Sequence, residues 1–287
     1  MITYRHHITT LVAVFLALAV GVVLGGGPLT DLGREPSVAP ARAGATRDAR
    51  ELAGFGDDFA AAGAATLYDD RLRDHAVAVL TLPGADDDVV GALTQQVEEA
   101  GGTVAGTYAA RPSLVAPGEK SLVDTLGSQL MTQLGDGAVA SDASTYVRAG
   151  QLAGLAMATG DVPADDASSV RQSLAGAELL TSPEKPKAAD LVLVVLGTAT
   201  DDAIVSGLVD GLAAKATGVV VAGDTDSAAS GDLAGVRREP VGQDVATVDG
   251  VEAPLGQVTA VLALARSLTV QGGSFGASGS DGAVPLG

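Results

Sequence analysis

One uncharged apolar run near the start of the chain limits its possible folds more than any other feature. The segment Ile8–Gly27 contains twenty residues and no charged side chain. At ~1.5 Å rise per residue, a helix of this length spans ~30 Å, the thickness of the hydrocarbon core of a bilayer. The run therefore predicts a single N-terminal transmembrane helix over residues 8–27, preceded by a short segment, residues 1–7.

The charges around this run predict its orientation. Arg5 and the terminal amine precede it, and most of the polar sequence follows it. Because positive charge concentrates on the cytoplasmic side of membrane helices, we expect residues 1–7 in the cytoplasm and an extracytoplasmic C-terminal domain at the cell membrane. The alternative is a cleaved signal peptide, with Ala17-Leu18-Ala19 near the cleavage site. Apolar regions of signal peptides are usually ~7 to 15 residues long, so we favour the uncleaved anchor.

Small residues recur at every fourth position of the predicted anchor. They are Ala13, Ala17, Gly21 and Gly25. Positions four apart lie on one face of a helix, and small side chains there let a second helix approach closely. This face could therefore support a homo-oligomer. The alternative is that Ala and Gly are simply frequent in membrane helices.

The exported sequence separates into a stalk, a domain and a tail. Residues 28–74 are rich in Ala, Gly and Pro and predict a stalk or linker with some helix. Residues 75–271 alternate apolar runs with amphipathic segments, beginning with a predicted βαβ unit at 76–82, 86–100 and 103–110. Residues 272–287 are rich in Gly and Ser and predict a flexible tail.

The later part of the domain repeats the same alternation. Its segments are an apolar run at 191–196, a helix after 201, a second run at 219–222 and an amphipathic helix at 255–268. Continuous apolar strands alternating with amphipathic helices are typical of parallel sheets that are covered on both faces. The predicted fold class is thus α/β, with a mostly parallel, helix-covered sheet behind one transmembrane helix.

Charge and cysteine content exclude several functions. The formal net charge is -18, so the chain repels nucleic acid, whose binding requires Lys and Arg to displace condensed counterions. The chain has no Cys, which rules out disulfides, thiolate metal sites and cysteine nucleophiles.

The loops after the predicted strands lack nucleotide-binding motifs. Neither Pro83–Asp88 nor Gly197–Asp202 matches G-x-G-x-x-G or a P-loop, and acids at these helix starts would repel phosphate. The run Asp86–Asp88 could offer oxygen ligands to a divalent cation, but helix capping explains it more simply. We predict no bound cofactor.

The exported part contains few groups for catalysis or copper binding. His75 is its only histidine, and no G-x-S-x-G motif accompanies it, so we predict no enzyme. A soft copper ion prefers Cys, Met or His, and only His75, Met131 and Met157 are present there. They are far apart in sequence, and any metal-binding residues stay unknown.

Two segments carry a resemblance to a known family. Tyr4–Gly25 reads Y-R-H-H-I-T-T-L-V-A-V-F-L-A-L-A-V-G-V-V-L-G, and Val245–Ala265 contains T-V-D-G, at Thr247, Val248, Asp249 and Gly250, before a helix. Together with T-L-P-G-A-D at Thr81–Asp86, they resemble the actinobacterial copper transporter family typified by mycobacterial copper transport protein B. The resemblance brackets nearly the whole chain. It implies copper efflux or transport across the cell envelope, with copper as the transported ion.

Three functions follow as hypotheses. The first is a copper-transport membrane protein, which would need an oligomer or a partner because one helix cannot enclose a pore. The second is an envelope-facing scaffold or interaction module that recruits another envelope protein without metal chemistry. The third is an enzyme whose site the sequence does not reveal.

Overall fold

The computed structural model describes residues 38–286 except 136 and 161, with side chains from residue 47 onward. The chain divides into two compact units, Met1–Phe55 and Gly56–Gly287. The predicted anchor at residues 8–27 lies outside the described residues, and so does its predicted packing face of Ala13, Ala17, Gly21 and Gly25. Among the helices described between residues 38 and 286, none is both long and apolar enough to cross a bilayer.

Helices and strands alternate through most of the second unit. The α-helices are α1 (Val38–Tyr68), α2 (Asp87–Glu99), α3 (Pro112–Val115), α4 (Lys120–Leu134), α5 (Thr145–Ala156), α6 (Ala164–Gly176), α7 (Asp202–Ala213), α8 (Thr225–Ser230), α9 (Asp232–Arg238) and α10 (Pro254–Ser267). The strands are β1 (Ala76–Thr81), β2 (Thr103–Ala110), β3 (Leu180–Thr181), β4 (Leu191–Val195), β5 (Gly218–Ala222), β6 (Ala246–Val248) and β7 (Ser274–Phe275). Two 3₁₀ turns lie at Pro117–Glu119 and Pro240–Gln243.

The strands form one sheet in the order β3-β2-β1-β4-β5-β6-β7. Every neighbouring pair is parallel except β2 and the two-residue β3. The predicted α/β class with a mostly parallel sheet is therefore confirmed. The chain order reverses between β1 and β4, which places the topological switch point of the sheet there.

The core occupies both faces of the sheet, as continuous apolar strands require. Along β4, Leu191 and Leu193 pack into one buried cluster, whereas Val192 packs into the other. This alternation follows from the two-residue period of a strand. The first cluster also receives α2 and α10, and the second receives α4 to α7 and α9.

Regular structure also occurs at both ends of the predicted domain. Residues 38–68, within the predicted stalk, form α1, and its side chains Ala64 and Tyr68 are buried against the sheet. In the segment that composition predicts to be a flexible tail, β7 pairs with β6, and Phe275 is buried. The second unit thus has elements before residue 75 and after residue 271.

Candidate functional site

The carboxyl ends of β1 and β4 flank the switch point, where doubly wound sheets usually bind ligands. Here the two loops bond to each other. The backbone N–H and the hydroxyl of Thr198 both donate to the Pro83 carbonyl oxygen, at 2.9 and 3.0 Å. Gly197 lies so close that a Cβ atom on it would be 2.2 Å from the same oxygen. The loops therefore meet where a pyrophosphate would have to enter.

A small cavity remains at this edge. It has a volume of about 140 Å³ and is bordered by Gly84, Asp86, Asp224 and Glu252, among others. Pockets for small organic ligands usually have ~300 to 1,000 Å³. The cavity is therefore smaller than a nucleotide requires.

The carboxylates around the cavity already accept protein hydrogen bonds. Asp86 is the N-cap of α2 and accepts from the backbone N–H groups of Asp88 and Val89, as the capping interpretation predicted. Asp224 caps α8 in the same way, and Glu252 accepts from the Thr225 N–H. Within the described part of the chain, no group of three His, Cys, Asp or Glu side chains converges to hold a metal ion.

The side chains that soft copper would prefer are two methionines packed against the core and one histidine whose Nδ1 has no hydrogen-bond partner among the described residues. His75 precedes β1, and its Nδ1 lies 3.4 Å from an Asp190 carboxylate oxygen. Met157 is fully buried at the end of α5. Met131, on α4, is half-buried against the same core.

The loop after β4 is also held from the side of α9. The backbone N–H of Thr200 donates to both carboxylate oxygens of Asp232, at 2.8 and 3.1 Å. Asp232 is almost fully buried. Burial raises its carboxyl pKa above the ordinary range, the Thr200 hydrogen bond lowers it in part, and the nearby charge of Asp202 raises it further.

The T-V-D-G motif that carries the resemblance lies along the same carboxyl edge of the sheet, towards its β7 end. Thr247 and Val248 belong to β6, and Asp249 follows with a fully buried side chain. The Asp249 carboxylate pairs with the guanidinium of Arg237, on α9, at 2.9 Å. Its second oxygen accepts from the backbone N–H and the hydroxyl of Ser278 at 2.9 and 3.0 Å.

Arg237 completes this network with its remaining donors. It donates to the Thr247 hydroxyl at 3.0 Å, and to the Phe275 carbonyl and the Ser278 hydroxyl at 2.9 Å each. A buried pair that is fully hydrogen-bonded is costly to break, because either charge alone would stay desolvated. The motif thus fastens the segment after α10 to the sheet.

The last residue of the motif, Gly250, allows a sharp turn of the backbone. Gly250 has a φ of +81°, a conformation that costs other residues energy. The chain turns there towards α10, and a Cβ atom on Gly256 would lie 2.0 Å from the Gly250 carbonyl oxygen. In the described structure, the motif therefore has a structural role.

Sequence reasoning missed Arg237. An aspartate directly after a buried strand requires a buried partner, and the chain has only 17 Lys and Arg residues to supply one. That requirement is the signal that could have led to the Arg237-Arg238 pair. It could not have distinguished between the two.

The parallel sheet covered by helices on both faces defines a doubly wound α/β domain. The loops after β1 and β4 close its switch point. A family model described as "Copper transport outer membrane protein, MctB" matches residues 1–286. The chain belongs to this family. The match includes the N-terminal segment outside the described residues.

Curated relatives agree with the family match. The chain is 30% identical over 299 residues to proteins named copper transporter MctB from Mycobacterium bovis and Mycobacterium tuberculosis. The protein of that name from Mycobacterium leprae is 30% identical over 300 residues. Each comparison covers 92% of this chain and 92% of the relative. The predicted family resemblance is confirmed.

Proposed function

We propose that this chain takes part in copper transport across the cell envelope. The observation that carries the proposal is the family match over residues 1–286, together with relatives named copper transporter over almost their full length. Copper is the transported ion in this proposal, and the chain needs no bound cofactor and is not an enzyme. The strongly acidic charge of -18 supports attraction of cations and argues against nucleic acid as a partner.

The proposed topology is a single-pass anchor at residues 8–27, with the N-terminus in the cytoplasm and the α/β domain outside. The uncharged run of twenty residues supports it. One helix cannot enclose a path for an ion, so transport requires several copies or a partner protein. The stripe of Ala13, Ala17, Gly21 and Gly25 supports self-association through the anchor.

In this proposal, the α/β domain supports the transport assembly or recognises a partner protein. The carboxylates at its carboxyl edge cap helices or bond to loops, and His75 lies beside Asp190. These contacts support a domain that assists transport without storing copper. Passage of the ion then depends on the assembly to which the chain belongs.

A scaffold without metal chemistry is the second candidate. On α1, Leu52 and Phe55 expose 72% and 69% of their surfaces. Phe59 on the same helix is also exposed, and apolar side chains three and four positions apart adjoin on one helix face. A contiguous exposed apolar patch of this kind is typical of surfaces that contact another protein. In this alternative, the chain recruits an envelope protein, and copper does not pass through the assembly.

A deletion strain separates the two candidates. Loss of the gene should raise cell-associated copper and lower copper tolerance, while zinc content and zinc tolerance stay unchanged. The full-length chain should restore both copper readouts, and a chain lacking residues 1–27 should restore neither. Normal copper content in the deletion strain, with an envelope protein that co-purifies with the full-length chain, would contradict transport and support the scaffold.

A further inference from the structure

The helix α1 carries apolar side chains on two sides. On one side, Ala60 and Tyr68 are buried in the core of the domain. On the other side, Leu52, Phe55 and Phe59 are largely exposed. With ~3.6 residues per turn, the exposed set projects from the helix axis roughly opposite to the buried set. The exposed set is therefore available for a contact that leaves the packing of the domain intact.

The exposed side continues with a regular spacing of three and four residues. It comprises Leu52, Phe55, Phe59, Ala62 and Thr66, all of which are exposed. We call this set the outer stripe. Apolar positions that alternate three and four residues apart form the seam along which two helices pack in a coiled coil. A helix with such a seam is complementary to a second copy of itself.

The residues beside the outer stripe favour parallel pairing of two copies. Glu51 and Asp58 flank the stripe on one side, and Gly56 and Gly63 flank it on the other. In a parallel pair, the first side of one helix meets the second side of its copy, so each acid meets a glycine. In an antiparallel pair, the two acidic sides would meet and repel each other. The flanking charges therefore indicate copies that run in the same direction.

The chain before α1 supports the same direction. The predicted anchor ends at Gly27, and α1 begins at Val38, so ten residues lie between them. Copies anchored in one membrane would have α1 helices that start at a similar height and point the same way. The parallel orientation thus rests in part on the anchor of the proposed topology.

Confinement to a membrane also compensates for the modest size of the outer stripe. Phe55 and Phe59 are 69% and 68% exposed, so together they offer ~200–350 Å² per copy. A standard stable interface buries ~800 Å² on each partner. Copies held in one bilayer have a high effective concentration, so a smaller contact is enough for pairing.

We propose that α1 pairs in parallel with α1 of a second copy through the outer stripe, outside the bilayer. The exposed apolar stripe, its three-and-four spacing and the flanking charges together define the partner as a second copy of this chain. The contact lies on α1 and is distinct from any packing of the anchor helices.

The absence of Cys from the chain allows a cross-linking test without background thiols. Ala62→Cys places a thiol in the outer stripe, and Ala61→Cys places one on another side of α1; both positions are exposed. A disulfide requires Cα atoms within ~7 Å, so diamide oxidation of membranes with full-length protein should yield about ten-fold more linked dimer for Ala62→Cys. Equal yields would overturn the pair. A cross-link from Ala62→Cys only to a different envelope protein would also overturn it and support the scaffold.

A second substitution locates the contact on α1. Phe55→Glu, added to Ala62→Cys, puts a charge into the seam and should reduce the linked dimer about ten-fold. Ala53→Glu adds the same charge at an exposed position outside the stripe and should leave the dimer unchanged. Both variants should unfold at the same denaturant concentration as the parent. An undiminished dimer in Phe55→Glu would overturn the role of the stripe.

The pair and the proposed transport can fail separately. Because the cross-link is scored without added copper, normal copper efflux with no Ala62→Cys dimer would overturn the pair alone. A dimer that forms in cells without copper efflux would support the pair and contradict only the proposed transport.

Discussion

Two places along the sheet's carboxyl edge, the switch point in the middle and the β6-β7 end, are held together by different chemistry. At the switch point, the loops after β1 and β4 meet through bonds to the Pro83 carbonyl oxygen and through the close approach of Gly197. At β6 and β7, a buried ion pair between Arg237 and Asp249 holds the segment after α10. The first closure depends on close backbone contact at Gly197 and Pro83. The second depends on the opposite charges of Arg237 and Asp249.

The difference determines which substitutions weaken each closure. A backbone contact depends on having no side chain, so it fails when atoms are added. A buried ion pair depends on both partners, so it fails when either is removed. The T-V-D-G motif belongs to the second kind.

The largest effect is expected from Arg237→Ala. It leaves the Asp249 carboxylate buried without its counter-charge, which should lower the free energy of unfolding by ~3–5 kcal/mol. Arg238→Ala is the matched control, because its pair with Asp202 is 68% and 47% exposed and should contribute less than ~1 kcal/mol. Denaturant unfolding of the full-length protein in detergent measures both. Similar losses for the two variants would contradict the distinct role of the buried pair.

A smaller effect is expected from Gly197→Ala. The added Cβ atom would lie 2.2 Å from the Pro83 carbonyl oxygen, so the two loops must separate at a cost of ~1–3 kcal/mol. Gly91→Ala adds the same atom on α2, where nothing lies within 4 Å, and should stabilise the helix by up to ~1 kcal/mol. Thermal unfolding should give a lower melting temperature for Gly197→Ala and a higher one for Gly91→Ala than for the wild type. A neutral Gly197→Ala variant would show that the loops are not tightly closed.

The smallest effect is a pH dependence at Asp232. Because its pKa is raised in the folded protein, the folded state holds this proton more tightly than the unfolded state does. Its contribution to stability is full below the unfolded pKa of ~3.9 and is lost as pH rises through the folded pKa. The unfolding free energy of Asp232→Asn minus that of the wild type should therefore increase as pH rises from ~4. A difference that is constant or decreases with pH would contradict burial as the dominant cause.

The sequence predicted several strands and helices of the α/β domain well because each carried its own pattern, whereas the long helix α1 was predicted only as a stalk with some helix. The range 103–110 was predicted as a strand and is β2, and the acidic start of α2 was predicted by capping chemistry. The strands β6 and β7 were not predicted, because they have only three and two residues. Strands this short gain their pairing from neighbours that are distant in sequence.

The candidate sites were less accessible to sequence reasoning for a related reason. The T-V-D-G motif was found through resemblance, but its partner Arg237 lies on a separate helix. Burial of Asp249 emerges only when several elements pack together.

The rate at which loaded cells lose copper tests the proposed transport most directly. Cells of a deletion strain and of the same strain carrying the full-length chain would be loaded with a copper radioisotope and transferred to copper-free medium. Faster loss of the isotope from cells that carry the chain is the predicted result. Equal rates of loss, with the chain present in the envelope, would contradict copper transport.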